Sequence, residues 1–208
     1  MTDLWTAVRT FNEACGVRLR PTPGWVPDDE IALALRLVDE ELSELRGAIT
    51  AGDIVETADA IADGLYVLAG LVLRLGIARV YIKDLLFTPR VPVGMLAGAG
   101  ARFESVGPQL DRIDGMLASL HQAVDARNLN ATDSVAHSLM YALQGVANWM
   151  MVPLEAVFSE VQSSNMSKLV DGKAVRRADG KILKPATWLP PDIAGVLAAH
   201  GWAIGTAA

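Results

Sequence analysis

Apolar residues recur three and four positions apart along most of the chain, the spacing that gathers them on one face of an α-helix. The first such stripe, Leu4, Val8, Phe11 and Cys15, predicts a helix over Asp3 to Cys15. Pro21, Pro23, Gly24 and Pro27 then form a connector that cannot be helical. A second pattern starts at Asp28 or Asp29, either of which can cap it, and runs to about Ala51. Gly52-Asp53 reads as a stop and a restart, because glycine suits the left-handed residue after a helix and aspartate the N-cap. A third helix, about Ile54 to Leu75, would pair with the second as an antiparallel hairpin with a very short turn. The Pro- and Gly-rich stretch from Thr88 to Gly107 reads as a linker. Beyond it a second hairpin is expected over about Val106 to Ala126 and Asn130 to Met151, turning at Arg127-Asn128-Leu129-Asn130. Pro153 opens a short helix to about Ser164. The tail from Lys168 to Pro191 should be extended loop, and Val80-Tyr81-Ile82 is the one β-like run.

Sliding the chain along itself by 75 residues aligns the two hairpins without a gap and brings Tyr66 onto Tyr141 and Gly70 onto Gly145. Leu35, Asp39, Leu45 and Thr57 likewise meet Leu110, Asp114, Leu120 and Thr132. The fold expected is therefore all-α: two tandem hairpins forming a four-helix bundle, an internal pseudo-dimer with flanking helices and a C-terminal loop arm. Residues 1–208 should make a single domain, with an acidic, active hairpin at 28–77 and a linker at 88–107. A degenerate repeat would occupy 105–152, and a C-terminal helix with a basic arm 153–192. The repeat is chemically lopsided. Glu41, Glu44, Glu56, Asp59 and Asp63 align with Met116, Ser119, Ala131, Ser134 and Ser138, so the second hairpin reads as a structural partner rather than a second site.

At 51% hydrophobic and 20% charged residues, the 208-residue chain can bury a sizeable core. Its longest apolar run, Leu65 to Leu73, is too short to span a membrane. The lone Cys15 cannot form an intrachain disulfide and reads as a small core residue, and no secretory signal precedes it. A reducing, cytoplasmic setting is the expectation. A net charge of −6 argues against duplex nucleic acid as a partner. The basic residues are uneven, with Lys168, Lys173, Arg176, Arg177, Lys181 and Lys184 gathered near the C-terminus.

The acids carry the chemistry. Glu41 and Glu44 share a helix face, as do Glu40 and Glu44, while Glu56, Asp59 and Asp63 form one stripe on the next helix. The second stripe interrupts apolar sequence, where unpaired carboxylates are costly. Hard divalent cations with oxygen ligands, Mg²⁺ or Mn²⁺ bound together with substrate phosphates, answer that charge. A di-iron bundle would use Glu-x-x-His. The residues three before His121, His137 and His200 are Ala118, Ser134 and Leu197, so that signature is absent. Trp5, Phe11 and Trp25 could wall a base but read first as core, as do Trp149 and Trp188; Tyr66 and Tyr141 read as braces of the bundle.

Glu40-Glu41-Leu42-Ser43-Glu44, followed by Glu56, Asp59, Asp63, Tyr66 and Gly70, resembles the all-α nucleotide pyrophosphohydrolases of the MazG type. It resembles most their phosphoribosyl-ATP-pyrophosphohydrolase-like branch, as does the run Ser164-Asn165-Met166-Ser167-Lys168 with Asp171-Gly172-Lys173, Asp179-Gly180-Lys181 and Lys184. The resemblance implies hydrolysis of a nucleoside triphosphate between its α- and β-phosphates, releasing the monophosphate and pyrophosphate, in the removal of non-standard or surplus nucleotides. It implies Glu41, Glu44 and Asp63 as metal ligands, with Glu40, Glu56 and Asp59 as further ligands or the base that orients water. Asn165, Lys168, Arg177, Lys181 and Lys184 are the candidates for substrate contact. The alternatives are hydrolysis of phosphoribosyl-ATP and a non-catalytic nucleotide- or partner-binding bundle. Three features depart from the family pattern: Ala60 where many relatives have Glu, Gln162 where they often have His, and the duplication itself. Relatives with one hairpin pair two chains, so this chain is expected as a monomeric pseudo-dimer or a homodimer of pseudo-dimers.

Overall fold

The computed structural model describes residues 3–79, 84–87, 99–175 and 182–203. Val80-Tyr81-Ile82, most of the expected linker, Arg177 and Lys181 lie outside them. The described residues form eight helices and no sheet: α1 Leu4–Ala14, α2 Asp28–Ala51, α3 Ile54–Leu75, α4 Ala99–Ser105, α5 Gly107–Asp125, α6 Leu129–Met150, α7 Leu154–Ser167 and α8 Ile193–Ala199. A 3-10 turn covers Asp84–Leu86. None of these helices is long and apolar enough to cross a membrane. The expected all-α pair of hairpins is present, α2 against α3 and α5 against α6.

Three local expectations need correction. The span read as linker contains α4, which packs on α5 and α6 through Phe103 while Val106 is fully buried behind it. Burial of these apolar groups outweighs the glycines nearby. The helix opened by Pro153 continues past Ser164 to Ser167, and α8 follows the arm, seated by Ile193 and Leu197 and capped by Asp192, whose side chain accepts from the Gly195 N–H. Asp28 and Asp29 do not cap α2. Pro27 holds that position without a side-chain bond, and the two aspartates lie in the first turn, where they complement the helix dipole.

The 75-residue offset carries α3 onto α6 end to end. Asp53 caps α3 by accepting from the Val55 and Glu56 N–H groups, and Asn128 caps α6 by accepting from Ala131. Thr57 and Thr132, both fully buried, donate their hydroxyls to the carbonyls of Asp53 and Asn128 at 2.5 and 2.9 Å. Gly52 (φ +70°) and Arg127 (φ +51°) occupy the same left-handed turn position, as do Gly76 (φ +68°) and Met151 (φ +58°). The contact between hairpins is reciprocal too. Arg46 of α2 pairs with Asp114 of α5, and His121 of α5 pairs with Asp39 of α2, whose Oδ1 is 2.7 Å from the ring Nε2. The offset turns one pair into the other, the mark of a two-fold, isologous contact.

α3 is the hub, buried on almost every side from Ile61 to Leu75. It packs against α2, α6, α1, α7 and α8. Gly64 makes room for the partner hairpin, since a Cβ there would stand 3.0 Å from Leu143 Cδ1. α1 and α7 lie on the remaining face of α3, over the acidic half of the hairpin. The arm is pinned to α7. Ser164 Oγ donates to the Leu189 carbonyl (2.8 Å), Trp188 Nε1 donates to Ser164 Oγ (3.1 Å), and Leu189 N–H donates to Ser167 Oγ (3.0 Å).

Candidate active site

Two adjoining cavities open beside α3. The first, about 370 Å³, is lined by Glu40 and Glu41 of α2, Asp63 and Tyr66 of α3, and Phe11 and Asn12 of α1. The second, about 380 Å³, holds Glu56 and Asp59 of α3 with Trp188 and Asp192. Asp63, Asn165, Lys168 and Lys184 line both, so the acidic stripes and the basic residues meet along one cleft. The short turn at Gly52-Asp53 makes this possible, because it folds the α2 acids back alongside those of α3.

Burial and mutual repulsion dominate the electrostatics. Burial raises Glu41 from 4.5 to about 8, reinforced by the charges of Asp63, Glu44, Glu40 and Asp59. Burial and Asp59 raise Asp63 to about 7, with Lys168 and Lys184 opposing the shift. Burial and Glu56 raise Asp59 to about 6. Burial also lowers Lys168, against the pull of Asp63. Glu44 and Glu56 are exposed; Glu44 lines neither cavity, yet its charge acts on Glu41, Asp59 and Asp63. Asp59 Oδ1 is buried with no hydrogen-bond partner among the described residues, an expensive arrangement for a carboxylate oxygen.

This donor set, all carboxylate oxygens with one orphaned, suits a hard divalent cation. As the side chains stand, no group of three or more His, Cys, Asp or Glu among the described residues forms a ready ligand set. Ala60 is buried in the core, so the carboxylate found there in many relatives has no counterpart beside the cleft.

Around the acids, Lys168 Nζ donates to Asn165 Oδ1 at 2.6 Å, and Tyr66 donates its hydroxyl to Gln162 Oε1 at 2.7 Å. Lys184 Nζ sits 3.9 Å above the Trp188 ring. The tail is thus an anchored arm that delivers one lysine to the cleft; Arg177 and Lys181 fall outside the described residues. Trp188, expected in the core, is instead half-exposed in the wall of the second cavity. Phe11 packs edge-on against Tyr66 at 5.8 Å and walls the first cavity, whereas Trp5 is buried and Trp25 is half-buried beneath Arg127. Tyr66 is buried as expected of a brace, but Tyr141 is 47% exposed and Trp149 46%. Sequence reasoning missed Asn12 and Arg74, both in the first cavity. Asn12 carried no signal, but Arg74, a cation interrupting the apolar α3, did.

Residues 8–85 match the family described as phosphoribosyl-ATP pyrophosphohydrolase. A domain of the MazG superfamily, related to that enzyme, is thus present over α2, α3 and most of α1, and the match stops short of the second hairpin and the arm. No curated protein and no solved structure matches the chain.

Proposed function

We propose that this cleft is a nucleotide pyrophosphohydrolase site, cutting between the α- and β-phosphates to leave a monophosphate and pyrophosphate. The observation that carries the proposal is the meeting of Glu41, Asp59 and Asp63 with Lys168 and Lys184 at the junction of the two cavities. The family match over residues 8–85 favours phosphoribosyl-ATP as substrate over an unmodified nucleoside triphosphate. Residues 28–77 act as the catalytic hairpin, 105–152 as its structural partner and 153–192 as the substrate-facing arm.

Glu41, Glu44, Glu56 and Asp63 are the residues that would hold Mg²⁺ or Mn²⁺, which when bound would supply charge neutralisation and a lowered pKa for water. Asp59 accepts the proton of the attacking water at its free Oδ1; an acid raised to about 6 is suited to general-base work near neutrality. Glu40 stands beside Glu41 as a second group able to orient that water. Lys168 and Lys184 take up charge on the phosphate oxygens, and Arg177 and Lys181, outside the described residues, are proposed for the same role on their chemistry alone. Asn165 holds Lys168 in place. Phe11, Leu37 and Val67 exclude water from the recess that receives base and sugar.

Product analysis of phosphoribosyl-ATP and a panel of nucleoside triphosphates with Mg²⁺ tests the reading. Pyrophosphate with the matching monophosphate is expected. Orthophosphate release, or nucleotide binding with no cleavage at all, would replace it with a different phosphatase chemistry or with a purely binding bundle.

A further inference from the structure

A further cavity lies on the other hairpin. It is a groove of about 620 Å³ between α5 and α6, within the size range of small-molecule sites. It is the repeat's copy of the acidic cleft. The 75-residue offset takes its Met116, Ser138, Tyr141, Gly145 and Trp149 back to Glu41, Asp63, Tyr66, Gly70 and Arg74, all of which line the first cavity.

Two things differ between the copies. Among the described residues the copy has no roof: a Cβ at Gly70 would meet Asn12 of α1 at 3.3 Å, whereas one at Gly145 meets none of them within 4 Å. Tyr141 and Trp149 consequently stand about half-exposed in the open groove, with Trp149 steadied by donation from its Nε1 to the Arg102 carbonyl at 3.3 Å. The charge has also reversed. Glu41 and Asp63 have become Met116 and Ser138, while Leu37 and Ala34 have become Arg112 and Gln109. Arg112 makes no ion pair among the described residues, and Gln109 Oε1 is buried there without a hydrogen-bond partner.

From this we infer that the groove is a second binding site, one that takes a nucleoside monophosphate without a metal ion. The two aromatic rings offer faces on which a base can stack. Arg112 offers a guanidinium for the phosphate, and Gln109 Oε1 offers an acceptor for a donor on the ligand. With the carboxylates replaced, nothing at their positions calls for a divalent cation. The site is separate from the hydrolytic cleft, and its test does not depend on hydrolysis.

The test is equilibrium dialysis of adenosine monophosphate and of adenosine against the full chain in EDTA, read alongside tryptophan fluorescence. The expected result is one equivalent of the monophosphate bound, at least ten-fold tighter than adenosine, with quenching that is lost in Trp149→Phe. Arg112→Ala should abolish the preference for the monophosphate, and Tyr141→Ser should weaken both ligands at least ten-fold. Both positions are exposed, and circular dichroism checks that their variants fold. Lys184→Ala, in the acidic cleft, should leave this binding unchanged. No binding in EDTA, or binding lost in Lys184→Ala and kept in Arg112→Ala, overturns the proposal. So does a Tyr141→Ser effect confined to the mass of the particle, which would make the groove a contact between copies of the chain.

Discussion

The Oδ1 of Asp59, unpartnered among the described residues, is where structure and chemistry meet most closely, since a buried oxygen without a donor is a cost that a water, an ion or a ligand repays. Asp59→Asn is expected to lower kcat by roughly 10²–10⁴-fold with a smaller change in KM, the usual effect of losing a general base. Steady-state kinetics at saturating Mg²⁺ check this, and a wild-type kcat would remove Asp59 from the mechanism. Glu41 supplies a stability test. Its folded value of about 8 lies above the ordinary 4.5, so the folded state holds the extra proton between those values. The stability it contributes is complete below about 4.5 and is lost as pH rises through about 8. Thermal unfolding without metal should therefore fall over that interval, and the fall should flatten in Glu41→Gln. The acids themselves were legible from spacing alone, because Glu56, Asp59 and Asp63 interrupt an apolar stripe. Asn12 was not, because a lone polar residue on α1 acquires meaning only once α1 is laid across Gly70.

At the scale of elements, local capping chemistry decided what could be read. The ends of α3 and α6 were legible because Gly52-Asp53 and Asn128 are strong stop and start signals. α4 and α8 are seven residues each, too short for periodicity to register, and they exist because Phe103, Ile193 and Leu197 find apolar neighbours in the folded chain. The anchoring of the arm was equally hidden, since it rests on hydroxyls of Ser164 and Ser167 meeting backbone groups far along the chain. Matching letters also misled: Tyr66 and Tyr141 are identical, yet among the described residues only Tyr66 has a helix above it. Asn128→Ala should destabilise α6 by about 1 kcal/mol through loss of its cap. Gly64→Val should cost about 1–3 kcal/mol, because the added atoms press on Leu143 at the junction of the hairpins. Urea unfolding measures both, and a neutral Gly64→Val would mean that α6 can shift away from α3 without loss.

For the whole molecule, a cation that binds only the folded cleft must raise the unfolding temperature, by an amount equivalent to about 2.7 kcal/mol at one hundred times its Kd. Mg²⁺ titrated into the wild type should show this rise, and Asp63→Ala should not; equal rises in both would place the ion elsewhere. The reciprocal pairs Arg46–Asp114 and His121–Asp39 have a wider consequence. In a dimer of identical chains every substitution appears on both sides of the axis at once and must suit both settings. Joining the halves in one polypeptide removes that obligation: each position can be changed singly. His121, at the position equivalent to Arg46, is such a change, one arm of a symmetric contact altered while the other stands. The second hairpin is thereby free to carry Met116 and Ser138 where the first carries Glu41 and Asp63, so one chain presents two faces of the same shape and opposite chemistry.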